Sequence, residues 1–266
     1  MDKNIVGNDK IIGRPIKLNR KTLNFNGKGY AEIVLFGDLH LGAKECDVVR
    51  AQNMLDYCLE KNVYIFFMGD LLESGLRTSV GASVYEQKLN PQEQMDAIID
   101  MLQPLADKKL ILGSLIGNHE LRIYKATGIS VMKVICRQLK IPYLRSACWN
   151  LFKVGSQNYT MYALHGTSGS RFVYTKLKAL VDISHSFNAD ILAMGHVHTL
   201  VDTYQLVQQV DLRGKIVVER KKFLVITGHF LRYDESYAQE KGFPLEKLGS
   251  PKLKLFANKH DIHISC

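Results

Sequence analysis

A chain of 266 residues with 46% hydrophobic residues is long enough to bury one large core, and its composition excludes a fibre or a disordered tract. Lys plus Arg number 35 against 26 for Asp plus Glu, so the formal charge of +9 tilts the expected partner toward a polyanion. The five cysteines, Cys46, Cys58, Cys136, Cys148 and Cys266, are odd in number, spread out and without a C-x-x-C pair, which excludes a disulfide framework or a zinc ribbon and fits a reducing compartment. The N-terminus carries charges where a signal peptide needs an apolar stretch, and no run approaches the roughly 18 apolar residues of a membrane span. The expectation is a cytoplasmic protein with no membrane partner.

Residues 1–29 are basic, rich in Asn and Gly and weakly periodic, and read as an arm or an edge hairpin ahead of a domain over 30–266. From Ala31 a short apolar run ends in GDLH, and a helix follows around Val48 to Lys61. VYIFFMGD predicts another buried strand. A second helix fits Pro91 to Asp107, with proline in its first turn, and feeds the strand LILGSLIGNHE. NLFKVGSQNYTMYALHG reads as two strands joined by a Gly-Ser-Gln-Asn turn, and a helix is expected from Arg171 to Phe187. ADILAMGHVH is a further apolar strand with a polar end, and TLVDTYQLVQQV, KIVVER and KKFLVIT form an antiparallel series. From Gly228 the pattern is mixed, and residues 229–266 form a C-terminal extension with aromatic and charged residues suited to capping a site or to a dimer contact.

Five apolar strands end, in order, in D-x-H, G-D, G-N-H-E, H-G and G-H-x-H. In open α/β sheets ligands bind beyond the carboxyl ends of the strands, so ends spread from residue 38 to residue 198 can meet in one place. The residue types are those that a pair of hard to borderline divalent cations selects: carboxylates, an amide oxygen and imidazoles, with no thiol. Asp38 and His40, two apart, project to one side of an extended strand end, and Asp70 at the end of the neighbouring strand is the natural bridge. A single Asp or His at a strand end is more often a cap than a ligand. It is the whole set that points to metal.

With those motifs in that order, the sequence resembles the calcineurin-like metallophosphoesterases. Their pattern is matched by Asp38-Leu39-His40, Gly69-Asp70, Gly117-Asn118-His119-Glu120, His165 and Gly195-His196-Val197-His198. The resemblance implies an α/β fold, a sandwich of two β-sheets flanked by helices in four layers, α/β/β/α. It implies two divalent ions, one taking Asp38, His40, Asp70 and His198 and the other Asp70, Asn118, His165 and His196. Manganese is the ion the family favours, and Fe²⁺, Zn²⁺ and Co²⁺ accept the same ligands. Two such ions roughly 3.5 to 4 Å apart would share a water and bring its pKa from about 15.7 toward about 7, so that a bridging hydroxide becomes the nucleophile. His119 is implied to protonate the leaving oxygen or stabilise charge on it, a role contributing ~10²- to 10⁴-fold. Glu73 stands where the protein phosphatase branch has an aspartate that orients this histidine; a solvated loop carboxylate is the other reading.

The resemblance therefore implies a metal-dependent phosphoester hydrolase, and the substrate is less sharply marked. DLHLG is similar to the DNA-repair exonuclease branch and to a lipid-precursor pyrophosphatase branch, whereas GNHE is more like the protein phosphatases. The protein phosphatase signature G-D-x-x-D-R-G is broken in Gly69-Asp70-Leu71-Leu72-Glu73-Ser74-Gly75. The basic balance favours DNA or RNA, cleaved by a nuclease-type phosphodiesterase. The alternative is a phosphatase or pyrophosphatase acting on a small nucleotide or another small phosphorylated substrate. Arg77, Arg122, Tyr124, Lys125 and Arg171 follow the metal motifs and are candidates for phosphate contacts, with solvated loop charges as the plain alternative. The stretch from His165 to Arg171 leads into a helix, where backbone N–H groups would receive an anion or a Ser or Thr would simply cap.

Overall fold

The computed structural model describes residues 18–25, 27–77, 79, 87–167, 170–211, 214–234 and 236–266. Numbered in chain order, one sheet holds β2 (Tyr30–Phe36), β3 (Tyr64–Phe67), β4 (Ile111–Ser114), β10 (Lys252–Phe256) and β11 (Ile262–Ser265), in the order β11-β10-β2-β3-β4. The other holds β1 (Leu18–Leu23), β5 (Ala147–Val154), β6 (Gln157–Leu164), β7 (Ile191–Met194), β8 (Leu200–Asp211) and β9 (Ile216–Thr227), in the order β1-β5-β6-β7-β9-β8. The helices are α1 (Val48–Lys61), α2 (Pro91–Asp107), α3 (Asn118–Thr127), α4 (Val131–Gln138), α5 (Val173–Ser184) and the short α6 (Tyr237–Glu240).

Side chains alternate across a strand, and the apolar residues sort accordingly into three layers. Ile33 and Leu35 of β2, Phe66 and Met68 at β3, Met161 and Ala163 of β6 and Ile191 and Ala193 of β7 fill the space between the sheets. The opposite face of the five-stranded sheet, with Val34, Phe36, Ile65 and Phe67, packs on Leu55 of α1, Ile98 and Leu102 of α2 and Ile135 of α4. Leu192, Met194, Leu224 and Ile226 turn the outer face of the six-stranded sheet toward Leu180 of α5. The result is the four-layer α/β/β/α arrangement. Strands buried on both faces are why the sequence shows continuous apolar runs in place of alternation.

Helices α1 and α2 occupy the expected bounds because both carry strong starts. Asp47 accepts from the N–H of Arg50, and Asn90 forms a reciprocal capping box with Glu93 around Pro91. The expected separate strands KIVVER and KKFLVIT are one continuous β9. Of the stretch LILGSLIGNHE, expected as one strand, only Ile111–Ser114 is strand and Asn118 already opens α3, while α4, β10 and β11 fall where the sequence marked no element. No helix among the described residues is long and apolar enough to cross a membrane. The cysteines are unbridged, and burial pushes the thiols of Cys46, Cys58 and Cys136 up to about 12.

Of the basic N-terminal stretch, residues 1–17 lie outside the described residues. Residues Leu18–Leu23 pair in parallel with β5 and bury Leu23 between the sheets, so among the described residues this part is an edge strand. Asn19 ties it across the sandwich: its amide donates to Oδ1 of Asn150 on β5 at 2.8 Å and to the carbonyl of Leu112 on β4 at 3.3 Å. Replacing Asn19 or Asn150 by Ala strands a buried polar partner and should cost about 1 to 3 kcal/mol in urea unfolding. Elsewhere in the fold, His260 stacks on Tyr159 and lies 3.5 Å from the Asp190 carboxylate, whose hydrogen bond and charge raise its pKa against burial. A raised imidazole stabilises fully below its unfolded pKa of about 6.5 and loses that contribution as pH rises through the folded value. The stability difference between wild type and His260→Ala should therefore be largest below about pH 6.5 and shrink toward alkaline pH.

Candidate metal centre

β2, β3 and β4 run parallel, as do β6, β7 and β9, so each sheet sends the carboxyl ends of three strands to the same region. The loops beyond those ends are stitched together by their backbones. The N–H of Asp38 donates to Gly69 (3.0 Å), that of His40 to Asp70 (3.0 Å), and that of Phe230, just past β9, to Asp38 (3.1 Å). Gly117 sits so close that a Cβ there would overlap the Asp70 carboxylate. Asp38, His40, Asp70, His196 and His198 all adopt left-handed backbone with φ between 49° and 68°. For non-glycine residues this costs roughly 1 to 2 kcal/mol each, and such strain persists where the surroundings dictate it.

The seven expected ligands come together in two groups. Asp38, His40 and His198 form one: Nε2 of His198 is 3.4 Å from Oδ1 of Asp38 and 3.1 Å from Nε2 of His40. Asp70, His165 and His196 form the other, joined by Asn118, whose Oδ1 is 3.0 Å from Nε2 of His165 and 2.7 Å from Nδ1 of His196. Asp70 stands between them. Its Oδ2 is buried without a hydrogen-bond partner, 3.2 Å from Nε2 of His165 and 3.9 Å from Nε2 of His40. Carboxylate and amide oxygens and imidazole nitrogens gathered around an unpartnered, buried Asp70 Oδ2 are a donor set that suits a pair of divalent cations.

Tautomers follow from the outward-facing nitrogens. His165 donates from Nδ1 to the carbonyl of Met68 at 2.9 Å, and His40 from Nδ1 to the Glu73 carboxylate at 3.0 Å, leaving Nε2 of each to face inward with its lone pair. The charges agree. Against burial, His165, His119 and His40 hold the Asp70 carboxyl well below the usual range, and against burial Asp70 and Asp38 lift His165 to about 10. Protons on imidazole thus supply the positive charge that these carboxylates demand wherever a cation does not. His196 is pushed the other way, to about 4, by burial and by the charge of His165.

Glu73 is not a solvated loop carboxylate. It is buried, with Oε2 3.0 Å from Nδ1 of His40 and 3.2 Å from Nδ1 of His119, while Oε1 lies 3.4 Å from Arg122. Against burial, these imidazoles hold its carboxyl down at about 2. His119 donates from Nδ1 to the Glu73 carbonyl at 2.8 Å and turns Nε2 toward the centre, 4.0 Å from Oδ2 of Asp70 and 3.0 Å from Nη2 of Arg122. Burial lowers its pKa, but Asp70 and Glu73 outweigh burial and Arg122, and the net shift is upward. Glu120 closes the far side, accepting from the backbone N–H of Gly117, Asp70 and Leu72. Burial and the Asp70 charge push it up to about 7 even so.

Arg122 joins the site, and Arg171 packs over the Phe243 ring at its rim. Arg77, Tyr124 and Lys125 are exposed and do not line the cavity. Ser168 and Gly169, in the expected anion-binding stretch, lie outside the described residues. His229 went unmarked in the sequence. It is buried, stacks on His198 with ring centroids 5.1 Å apart, and accepts at Nδ1 from the N–H of Leu231. Burial, then the neighbouring His198, lowers its pKa to about 3. Its signal was available, since LVITGH is one more apolar strand ending in Gly-His. Replacing Glu73 by Ala, which removes the acceptor of His40 Nδ1, should weaken Mn²⁺ binding ~10- to 100-fold in calorimetry. Asp70→Asn should lower the bound metal per chain itself, read by elemental analysis.

No family model matches the sequence, and no curated protein matches it significantly. Among solved structures it is similar to YfcE, a phosphoesterase from E. coli, at 14% identity over 88% of this chain and 98% of that one, with a TM-score of 0.41. It is also similar to Vps29 complexed with Zn²⁺ from Entamoeba histolytica (14%, 88% and 97%, TM-score 0.39) and to a metallophosphoesterase from Sphaerobacter thermophilus (12%, 88% and 87%, TM-score 0.39). These scores describe a distant likeness and nothing finer. The chain itself shows two mixed sheets between helical layers, with clusters of His and acidic residues at the strand ends that could hold divalent cations, the four-layer arrangement that the sequence motifs led one to expect.

Proposed function

We propose that this chain is a two-metal phosphodiesterase acting on nucleic acid. The observation that carries the reading is one cavity of ≈ 310 Å³ lined by the candidate ligands His40, His196 and His198 together with His119 and Arg122. Divalent cations held by Asp38, His40, Asp70 and His198 and by Asp70, Asn118, His165 and His196 would supply hydroxide at neutral pH and offset phosphoryl charge. The remaining chemistry belongs to side chains.

His119 turns Nε2 to the cavity while Glu73 holds Nδ1, and a substrate phosphate that draws the Arg122 guanidinium off Nε2 would free that atom to carry a proton to a leaving oxygen. Arg122, fixed between Glu73 and His119, offers a guanidinium to phosphate oxygens. The net charge of +9 supports a polyanionic substrate. A second reading, a small nucleotide or other small phosphoester, is favoured by the modest size of the cavity.

Loaded with Mn²⁺, the protein should hydrolyse bis(p-nitrophenyl) phosphate, and His119→Ala should lower kcat ~10²- to 10⁴-fold with bound metal unchanged. Unchanged turnover in that variant removes the proton-donor role. Oligonucleotide affinity should fall steeply with salt, through counterion release. A protein that cleaves bis(p-nitrophenyl) phosphate yet neither binds nor cuts single- or double-stranded oligonucleotides is not a nuclease.

A further inference from the structure

The cavity has a second wall that the metal motifs do not supply. Besides the histidines it is lined by Tyr233, Tyr237, Phe243 and Pro244 from the C-terminal stretch. Side-chain bonds anchor this wall to the body of the fold. Lys176 of α5, almost wholly buried, reaches Glu246 at 3.1 Å and Thr199 at 2.7 Å, and Thr199 donates to Glu246 at 2.7 Å. The Tyr233 hydroxyl donates to the carbonyl of Phe243 at 3.0 Å, and the N–H of Phe243 to Ala238 at 2.8 Å.

Two rings of the wall are backed by cations. The Arg171 guanidinium lies 5.1 Å from the centre of Phe243 and Nζ of Lys241 lies 5.6 Å from that of Tyr237, and neither cation lines the cavity. Tyr237 and Phe243, with centroids 6.4 Å apart and planes inclined by 37°, are not stacked on each other. Their cavity faces are left for another flat group.

We propose that Tyr237 and Phe243 form a stacking wall for a nucleobase, so that the site takes a single nucleotide unit with its phosphate at the metal centre and its base against these rings. This rests on the phosphodiesterase reading above and narrows it. A cavity of ≈ 310 Å³ is near the small end of the ~300 to 1,000 Å³ of small-molecule sites, a size that suits one unit. A free nucleotide ester and the end of a chain present the same unit. Stacking on aromatic rings tolerates any base, so the wall selects nucleotide over sugar phosphate without selecting sequence.

The test is calorimetric titration of the Mn²⁺-loaded full chain with adenosine 5′-monophosphate and ribose 5-phosphate, which differ by the base. Wild type should bind the nucleotide roughly tenfold or more tighter, the range stacking provides. The double variant Tyr237→Ala, Phe243→Ala should bring the two affinities to within about twofold, while Tyr237→Phe and Phe243→Tyr, which keep the rings, should retain the preference. Equal affinities in wild type, or a preference that survives loss of both rings, overturns the wall. Bis(p-nitrophenyl) phosphate hydrolysis, followed in parallel, judges the phosphoesterase reading by itself. Linear single-stranded DNA trimmed from an end with circular DNA left intact identifies the unit as a chain end. Hydrolysis of thymidine 5′-(p-nitrophenyl phosphate) alone identifies a free nucleotide. Cleavage of circular DNA overturns the single-unit site.

Discussion

A carboxylate buried at the seam of two sheets must be compensated, and Asp70 is such a carboxylate. It does not stand alone: Asp38, Glu73 and Glu120 are within the same centre, each under 5% exposed. Like charges so close in low dielectric would cost many kcal/mol unless balanced by cations or protons. The surrounding groups are arranged to supply that balance. Three imidazoles turn toward Asp70, Glu120 is held by three backbone N–H groups, and Glu73 is shared by two imidazoles and Arg122. The strand order, the left-handed turns and the close approach of Gly117 all serve to bring these groups within reach of one another.

Much of this was legible from the residues, because the chemistry sits in short motifs at the ends of apolar runs. Asp38, His40, Asp70, Asn118, His165, His196 and His198 are brought together as their spelling implied, and α1 and α2 were fixed by their caps. The division into two sheets was hidden. β2, β3 and β4 read like β6, β7 and β9, since strands buried on both faces show the same apolar run whichever sheet receives them. Helix α3 was masked because it starts inside the motif, at Asn118, and ends after ten residues at Gly128, whose φ of 75° stops it.

His229 and the aromatic wall escaped for different reasons. Gly228-His229 is a single pair with no neighbouring ligand to raise it above a satisfied core histidine. Tyr237 and Phe243 lie around a four-residue helix, too short for any periodicity, and their placement depends on Lys176 and Glu246, 70 residues apart. Glu73 shows the limit from the other side. The broken signature around it argued against the protein phosphatase pattern but carried no information about burial, and burial is what turns a loop carboxylate into the group that orients two imidazoles.

The two sides of the cavity are held somewhat differently. On the metal side, backbone hydrogen bonds between loops fix the ligands, and those bonds form with almost any side chain in place. On the aromatic side, backbone bonds such as those from the N–H of Phe243 to Ala238 and of Arg232 to Glu45 are joined by the Lys176–Glu246 ion pair and the Tyr233 hydroxyl, so part of its position depends on a few side chains. A buried ion pair contributes little net stability but strongly favours one arrangement, because separating Lys176 from Glu246 leaves a charge uncompensated. On the proposed reading, the phosphate would be met by groups set at the strand ends, whereas what is attached to it would be met by Tyr237 and Phe243 of the C-terminal stretch.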